Sequence, residues 1–295
     1  MALYSIWVLE YAYANAFPKT GVLYGAHNQG SLKLAYCYTV IKGNGHVVMQ
    51  DVGYNNRDYA KEFADSLGLE KWQSPRTVLG EIGISPEDVD TVFISHAHFD
   101  HFGNVRDFPN ATFYIQEREI SKFVWALSLP ERMRFLLTGI DPGDILRGVE
   151  LATQGRLVCI NGDMEDVLPG IDLRAAFDTH TFGSMWVAVR NDGKPVSQDT
   201  WVLAGDLAYQ FENLGDSGKG GPPDSRYVPI GLAVGSQTNL LMVTESMIKA
   251  VGDETRRVIP PHEERIKNRF PSRITKNGLR ITAICLADGA KSMVA

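Results

Sequence analysis

The sequence predicts an α/β fold in a single domain, and three observations carry that prediction. Strand-patterned runs alternate with helix-patterned runs through the first half, and a strand-rich second half echoes the first. The 295 residues, 44% of them apolar, are also enough to bury a substantial core. Element by element, the opening run MALYSIWVLEYAYANAF is apolar, lacks a basic leader and is interrupted by Glu10, so it reads as a strand and not a secretion signal. Residues 34–41 and 46–51 form a hairpin about Gly43-Asn44-Gly45. RDYAKEFADSLGL sets Tyr59, Phe63 and Leu67 at helical intervals, residues 74–82 offer a second short helix, and TVFIS returns to strand.

From 117 to 149 the pattern is mostly helical, with breaks at Pro130 and Asp141-Pro142-Gly143, and is expected to be a helical insertion at about 117–150. IDLRAAF, MWVAVRN and TWVLAG read as strands, with an Asn-Asp-Gly turn at 191–193. The Gly/Pro/Ser-rich stretch 215–225 is expected to be a mobile loop inside one 1–295 domain, not a boundary.

Composition narrows the function. A net charge of −6 argues against a nucleic-acid partner, whose affinity rests on clustered Lys and Arg. No run approaches the roughly 18 apolar residues of a membrane span, so a soluble protein with no membrane partner is expected. Cys37, Cys159 and Cys285 are odd in number and far apart, which predicts reduced thiols in the cytoplasm and neither disulfides nor a thiolate metal site.

The chemistry concentrates after TVFIS, in Ser95-His96-Ala97-His98-Phe99-Asp100-His101. Four imidazole or carboxylate groups in six positions suit zinc or a neighbouring divalent metal, and a loop leaving a strand can aim them at two adjacent centres. His180, Asp206 and His262 each follow an apolar strand-like run, where strand ends on one sheet edge gather functional groups. His27 and His46 have no such partner, and a surface or structural role is expected for both, although His27 could reach a pocket.

H-x-H-x-D-H followed by a spaced His, Asp and His resembles the metallo-β-lactamase superfamily over nearly the whole chain. The resemblance implies an αββα sandwich of two mixed sheets flanked by helices. It implies that His96, His98 and His180 bind one divalent metal, that Asp100, His101 and His262 bind a second, and that Asp206 bridges them with a hydroxide as nucleophile. Zinc is the default, with manganese, iron or cobalt also accepted by such ligands.

Within the superfamily, the absence of a Glu in the motif and of a flavodoxin domain argues against flavodiiron proteins. The acidic Asp206 argues against class B β-lactamases, the 33 residues after His262 against glyoxalase II, and the acidic charge against processing nucleases. The chain looks like the lactonase branch, the N-acyl-homoserine lactonases and pyridoxolactonase-like enzymes. Tyr209, three residues after Asp206, matches a tyrosine of those lactonases that reaches the substrate carbonyl, and Asp100 would pass a proton to the leaving alkoxide. The chain departs from their Gly-His-Thr-Pro-Gly at Thr179-His180-Thr181-Phe182-Gly183, so a different pocket floor is expected. Phe123, Trp125, Phe135, Leu136, Trp7, Tyr11, Tyr13 and the stretch 209–227 could line a pocket for a small aromatic substrate, form core or make a homo-oligomer interface. An aryl ester, cyclic amide or activated aryl ether remains an alternative target. Two further alternatives are a mononuclear-iron persulfide oxygenase and a metal-stabilised binding module without catalysis.

Overall fold

The computed structural model describes residues 2–294. Strands follow in chain order as β1 (Tyr4–Pro18), β2 (Ser31–Gly43), β3 (His46–Gln50), β4 (Leu69–Glu70), β5 (Thr91–Phe93), β6 (Thr112–Gln116) and β7 (Leu157–Ile160), then β8 (Met164–Leu168), β9 (Ile171–Phe177), β10 (Gly183–Arg190), β11 (Thr200–Leu203), β12 (Val258–Ile259), β13 (Ser272–Ile274) and β14 (Arg280–Cys285). The helices are α1 (Lys19–Val22), α2 (Asp58–Ser66), α3 (Pro75–Gly80), α4 (Phe99–Phe102), α5 (Glu117–Leu127), α6 (Pro142–Thr153) and α7 (Gln237–Ala250), with 3-10 turns between them.

The strands build two mixed sheets. The first runs β13-β14-β1-β2-β3-β5-β6-β7, with β4 paired to β1, and is parallel from β3 to β7. The second runs β12-β11-β10-β9-β8, with β11 and β12 parallel. Alternation along β1 and β2 shows why they stack. Tyr4, Ile6 and Val8, with Ala35, Cys37 and Ile41, join Met185, Val187 and Val189 of β10 in the core between the sheets. Their alternate neighbours Trp7, Leu9, Tyr11, Tyr36, Tyr38 and Val40 pack with Ala60, Ala64, Val78 and Leu79 of α2 and α3. On the far side, Trp186 and Ala188 of β10 share a cluster with Leu240, Met247 and Ile248 of α7. The result is the expected αββα layering, and burial on both faces explains why the strands read as continuous apolar runs.

Local signals placed most elements. Asn44 and Gly45, at φ 50° and 83°, form the two-residue turn between β2 and β3. Ser74 accepts from the Thr77 amide ahead of Pro75 and starts α3. Asp141 accepts from the Gly143 amide and starts α6. The 117–149 segment is helical, as α5, a 3-10 run over Glu131–Leu137, and α6. One turn is only part of what the sequence suggested: Gly193 does close onto Arg190, but the link continues to Asp199, because the register pairs Arg190 with Thr200.

Parallel pairing fixes where the ends fall. β3, β5 and β6 run the same way, so Asp51, the His96–His101 loop and Glu119 emerge along one edge. In the second sheet, the chain leaves β9, β11 and β12 into His180, Asp206 and His262.

Candidate metal centre

The motif loop is anchored before it reaches its ligands. Asp51, just past β3 at φ 64°, a left-handed conformation that Asp tolerates better than most residues, accepts from the Ser95 amide and the Ser95 hydroxyl, each at 2.8 Å. α4 then carries Asp100 and His101. Asp206 sits in the 3-10 turn Gly205–Leu207. A Cβ at Gly205 would lie 2.9 Å from that of Ser95, and Gly205 has φ 53°, so only glycine lets the Asp206 turn approach the motif loop this closely.

All seven expected ligands converge, and all are buried. Ligand atoms of His96, His98, His180 and Asp206 lie within 4.8 Å of one another, as do those of Asp100, His101 and His262, so either group could hold a metal ion. His98 Nδ1 is 3.0 Å from both His96 Nε2 and His180 Nε2. Asp206 faces both groups. Its Oδ2 is 3.8 Å from His96 Nε2 and 3.5 Å from His180 Nε2, whereas its Oδ1 is 3.2 Å from His101 Nε2 and 3.0 Å from His262 Nε2. Asp100 Oδ2 completes the second group, 3.4 Å from His101 Nε2.

The outer hydrogen bonds set the tautomers. His180 donates from Nδ1 to the Leu232 carbonyl at 2.9 Å, and His262 from Nδ1 to the Ala35 carbonyl at 2.6 Å. His101 Nδ1 meets Asp51 at 2.8 Å, and His96 Nδ1 meets the Ser95 hydroxyl at 3.0 Å. Four imidazoles therefore hold an N–H outward and leave Nε2 facing inward, the atom a metal ion would take. His98 is reversed, with Nδ1 inward, and Gly139 (φ 82°) packs close against its ring. Ring nitrogens 3.0 Å apart need a proton or a metal cation between them, and a single N–H on His98 Nδ1 could serve only one of its two contacts, whereas tetrahedral zinc with nitrogen ligands spaces its donors by about 3.3 Å. His101 Nε2 is also a buried atom with no hydrogen-bond partner. The donor set fits divalent metal.

Electrostatics agree with that fit directly in the first group; in the second, burial lowers His101 and His262 but the Asp206 and Asp100 carboxylates outweigh it and raise both, so a metal ion there would take the place of protons. Burial, reinforced by neighbouring imidazoles, holds His96 well below the usual imidazole range and lowers His98 to about 3. Burial alone would raise Asp206, but His101 and His262 outweigh it and hold the carboxyl well below its usual range. Tyr209 stacks on the His262 ring at 4.9 Å, and its hydroxyl donates to Asp206 Oδ2. Burial first, then Asp206 and Asp100, push its phenol well above the usual range, so it remains a protonated donor.

Several residues to which the sequence assigned no part in ligand placement support the site. Asp51 orients His101, Tyr11 donates to the Asp100 carbonyl at 2.8 Å, and Tyr36 meets the His262 ring edge-on at 5.2 Å. Glu119, fully buried, joins the motif loop to the His180 loop, and burial pushes its carboxyl up to about 7. A lone acid or tyrosine has no spacing signature, so nothing local marked them. His27 is exposed and lies 3.3 Å from Thr20, and His46 pairs with Asp90 at 3.2 Å, both away from the centre. Of the aromatics, Trp7, Tyr11 and Phe123 are core, whereas Trp125 and Phe135 are exposed.

Comparison with known proteins supports these findings. The family model of the metallo-beta-lactamase superfamily matches residues 35–262. The N-acyl homoserine lactonase AiiB of Agrobacterium fabrum is 29% identical over 142 residues, 46% of this chain and 47% of that protein, and AiiB of Rhizobium rhizogenes is 28% identical over the same shares. The chain thus spans about half the length of the curated relatives it matches. Among solved structures, a quorum-quenching N-acyl homoserine lactone lactonase superposes with TM-score 0.64 at 19% identity, covering 91% of this chain and 96% of its own. The dizinc lactonase AidC superposes with TM-score 0.63 at 17% identity, covering 95% and 94%. At such identities the likeness speaks for the fold. With its family-model match running from β2 to His262 and both ligand groups within the fold, the chain belongs to the metallo-beta-lactamase superfamily.

Proposed function

We propose that this protein is a dinuclear metal-dependent lactonase, with His96, His98 and His180 at one metal position, Asp100, His101 and His262 at the other, and Asp206 shared between them. The observation that carries the reading is the orientation of Asp206, whose Oδ2 faces the first histidine group and whose Oδ1 faces the second. The lactone reading is supported by the four relatives described above, all of them lactonases by name. When bound, two divalent ions supply Lewis acidity toward a carbonyl and bring the pKa of water near 7.

The chain's own residues do the rest. Tyr209, a protonated donor to Asp206, would shift its hydrogen bond to the oxygen of the polarised carbonyl and stabilise charge there as water adds to the carbonyl carbon. As the ring C–O bond breaks, Asp100 would pass the proton released by the attacking water to the departing alkoxide. Zinc is the metal we expect from this nitrogen and oxygen set. One domain, 1–295, is proposed to hold the whole site, with the helices of 117–150 as an insertion beside it. The thiols Cys37, Cys159 and Cys285 are unpaired, which supports a cytoplasmic setting. The exposed Trp125 and Phe135 support an aromatic substrate or a homo-oligomer contact near the site.

The test is proton release by zinc-loaded protein offered acyl-homoserine, aliphatic and aromatic lactones, aryl esters and activated aryl ethers. One lactone class should open rapidly, chelation should stop it, and Asp206→Ala should hold fewer than two metals per chain with nearly all hydrolysis gone. Silence on every lactone with two metals bound would sink the lactonase reading, and full occupancy in Asp206→Ala would sink the shared ligand.

A further inference from the structure

Glu119 lies on the first turn of α5 and is entirely excluded from solvent. One of its oxygens accepts from the Ala97 amide at 2.8 Å, between His96 and His98. The other accepts from the Thr181 hydroxyl at 2.9 Å and the Gly183 amide at 2.6 Å, flanking the loop that presents His180. One carboxylate thus grips both loops whose histidines face each other at 3.0 Å. The approach is close: a Cβ at Gly183 would lie 2.6 Å from the Glu119 amide nitrogen. Thr181 is held in turn, its hydroxyl 2.7 Å from that of Ser184.

The chemistry of this tie is unusual for scaffolding alone. No ion pair reaches Glu119 among the described residues, and burying a carboxylate without a cation is costly. All three partners are donors, so a carboxylate satisfies them where an amide does not. A glutamine keeps one acceptor oxygen and sets an NH2 group against an N–H that needs an acceptor.

We propose that Glu119 is a positioning residue that fixes the separation of the His96/His98 loop from the His180 loop, and thereby the affinity of the first metal position. The inference rests on the metal reading given above. Outer contacts of this kind act by holding ligands at the separation an ion requires, so that less ordering remains to be done on binding.

Zinc titration of the full chain against a chromophoric chelator tests it, with the melting temperature of the metal-free protein measured alongside. His180→Ala identifies the binding step of the first position. In Glu119→Gln that step should weaken about 10- to 100-fold while the other stays as in wild type. Thr181→Val, which removes one of the three donors, should weaken the same step less, and Thr181→Ser should restore it. Should Glu119→Gln fail to fold, the Thr181 pair decides. A folded variant with wild-type zinc affinity at both steps, or one whose only change is a lower melting temperature, overturns the positioning role. A wild type that takes up no zinc overturns the metal reading and this role with it.

Discussion

At Tyr209 one hydroxyl separates packing from catalysis. The ring stacks on His262, so part of its value is structural, but the hydroxyl points at Asp206 and is kept protonated by burial and by the carboxylates around it. Tyr209→Phe keeps the stack and removes only the donor. If the donor stabilises charge at the carbonyl, turnover should fall on the order of 10²-fold with two zinc ions still bound. Unchanged turnover would leave Tyr209 as a wall of the site. Tyr209 was singled out by its likeness to the lactonase tyrosine three residues past the aspartate, and the seven candidate ligands by the motif and the strand ends. Asp51 and Glu119 were not, because their partners are 50 and 62 residues away.

Among the elements, the loop of 215–225 carries a fixed point that its composition did not announce. Glycine, proline and serine suggested mobility, yet Asp216 inside it is buried and accepts from the amides of Gly218 at 2.7 Å, Lys219 at 2.9 Å and Gly220 at 3.2 Å. It also accepts from the Thr255 hydroxyl at 2.6 Å and pairs with Arg269 at 2.8 Å. The glycines serve a turn wound round a carboxylate. Asp216→Ala would leave the Arg269 guanidinium buried without its partner, and a loss of about 3–5 kcal/mol in unfolding free energy is expected. Burial would raise the Asp216 carboxyl, but the Thr255 hydroxyl, the amides and Arg269 outweigh it and hold it below the ordinary 3.8. A depressed folded value means that this contribution is complete above about pH 4 and is lost as the pH falls through the folded value. Denaturant melts of wild type and Asp216→Ala should therefore converge toward strongly acid pH; a constant gap between them would refute the assignment.

Over the whole molecule, the centre joins the two sheets, since the first supplies the motif loop and the second supplies His180, Asp206 and His262. Metal should thus stabilise the sandwich as well as the reaction. Each of two ions at a thousand times its dissociation constant contributes about 4 kcal/mol, and a chain of this size gains roughly 1.5 °C per kcal/mol. Chelation should lower the melting temperature by on the order of 10 °C, and an unchanged melt would show that the sheets meet without help from the metal.

The sequence by itself determined what local chemistry decides. Apolar periodicity placed most strands and helices, Asn44-Gly45 and Pro142 marked their ends, and four ligands within six positions named the motif and its family. Only the tertiary structure decided how those ligands are used. The Ala35 carbonyl fixes the tautomer of His262 from 227 residues away. Asp206 divides its oxygens between two groups, Glu119 ties two loops, and Trp7 and Phe123 went to the core while Trp125 stayed exposed. Each of these depends on which segments meet after folding, and periodicity along the chain carries no information about partners so distant in sequence.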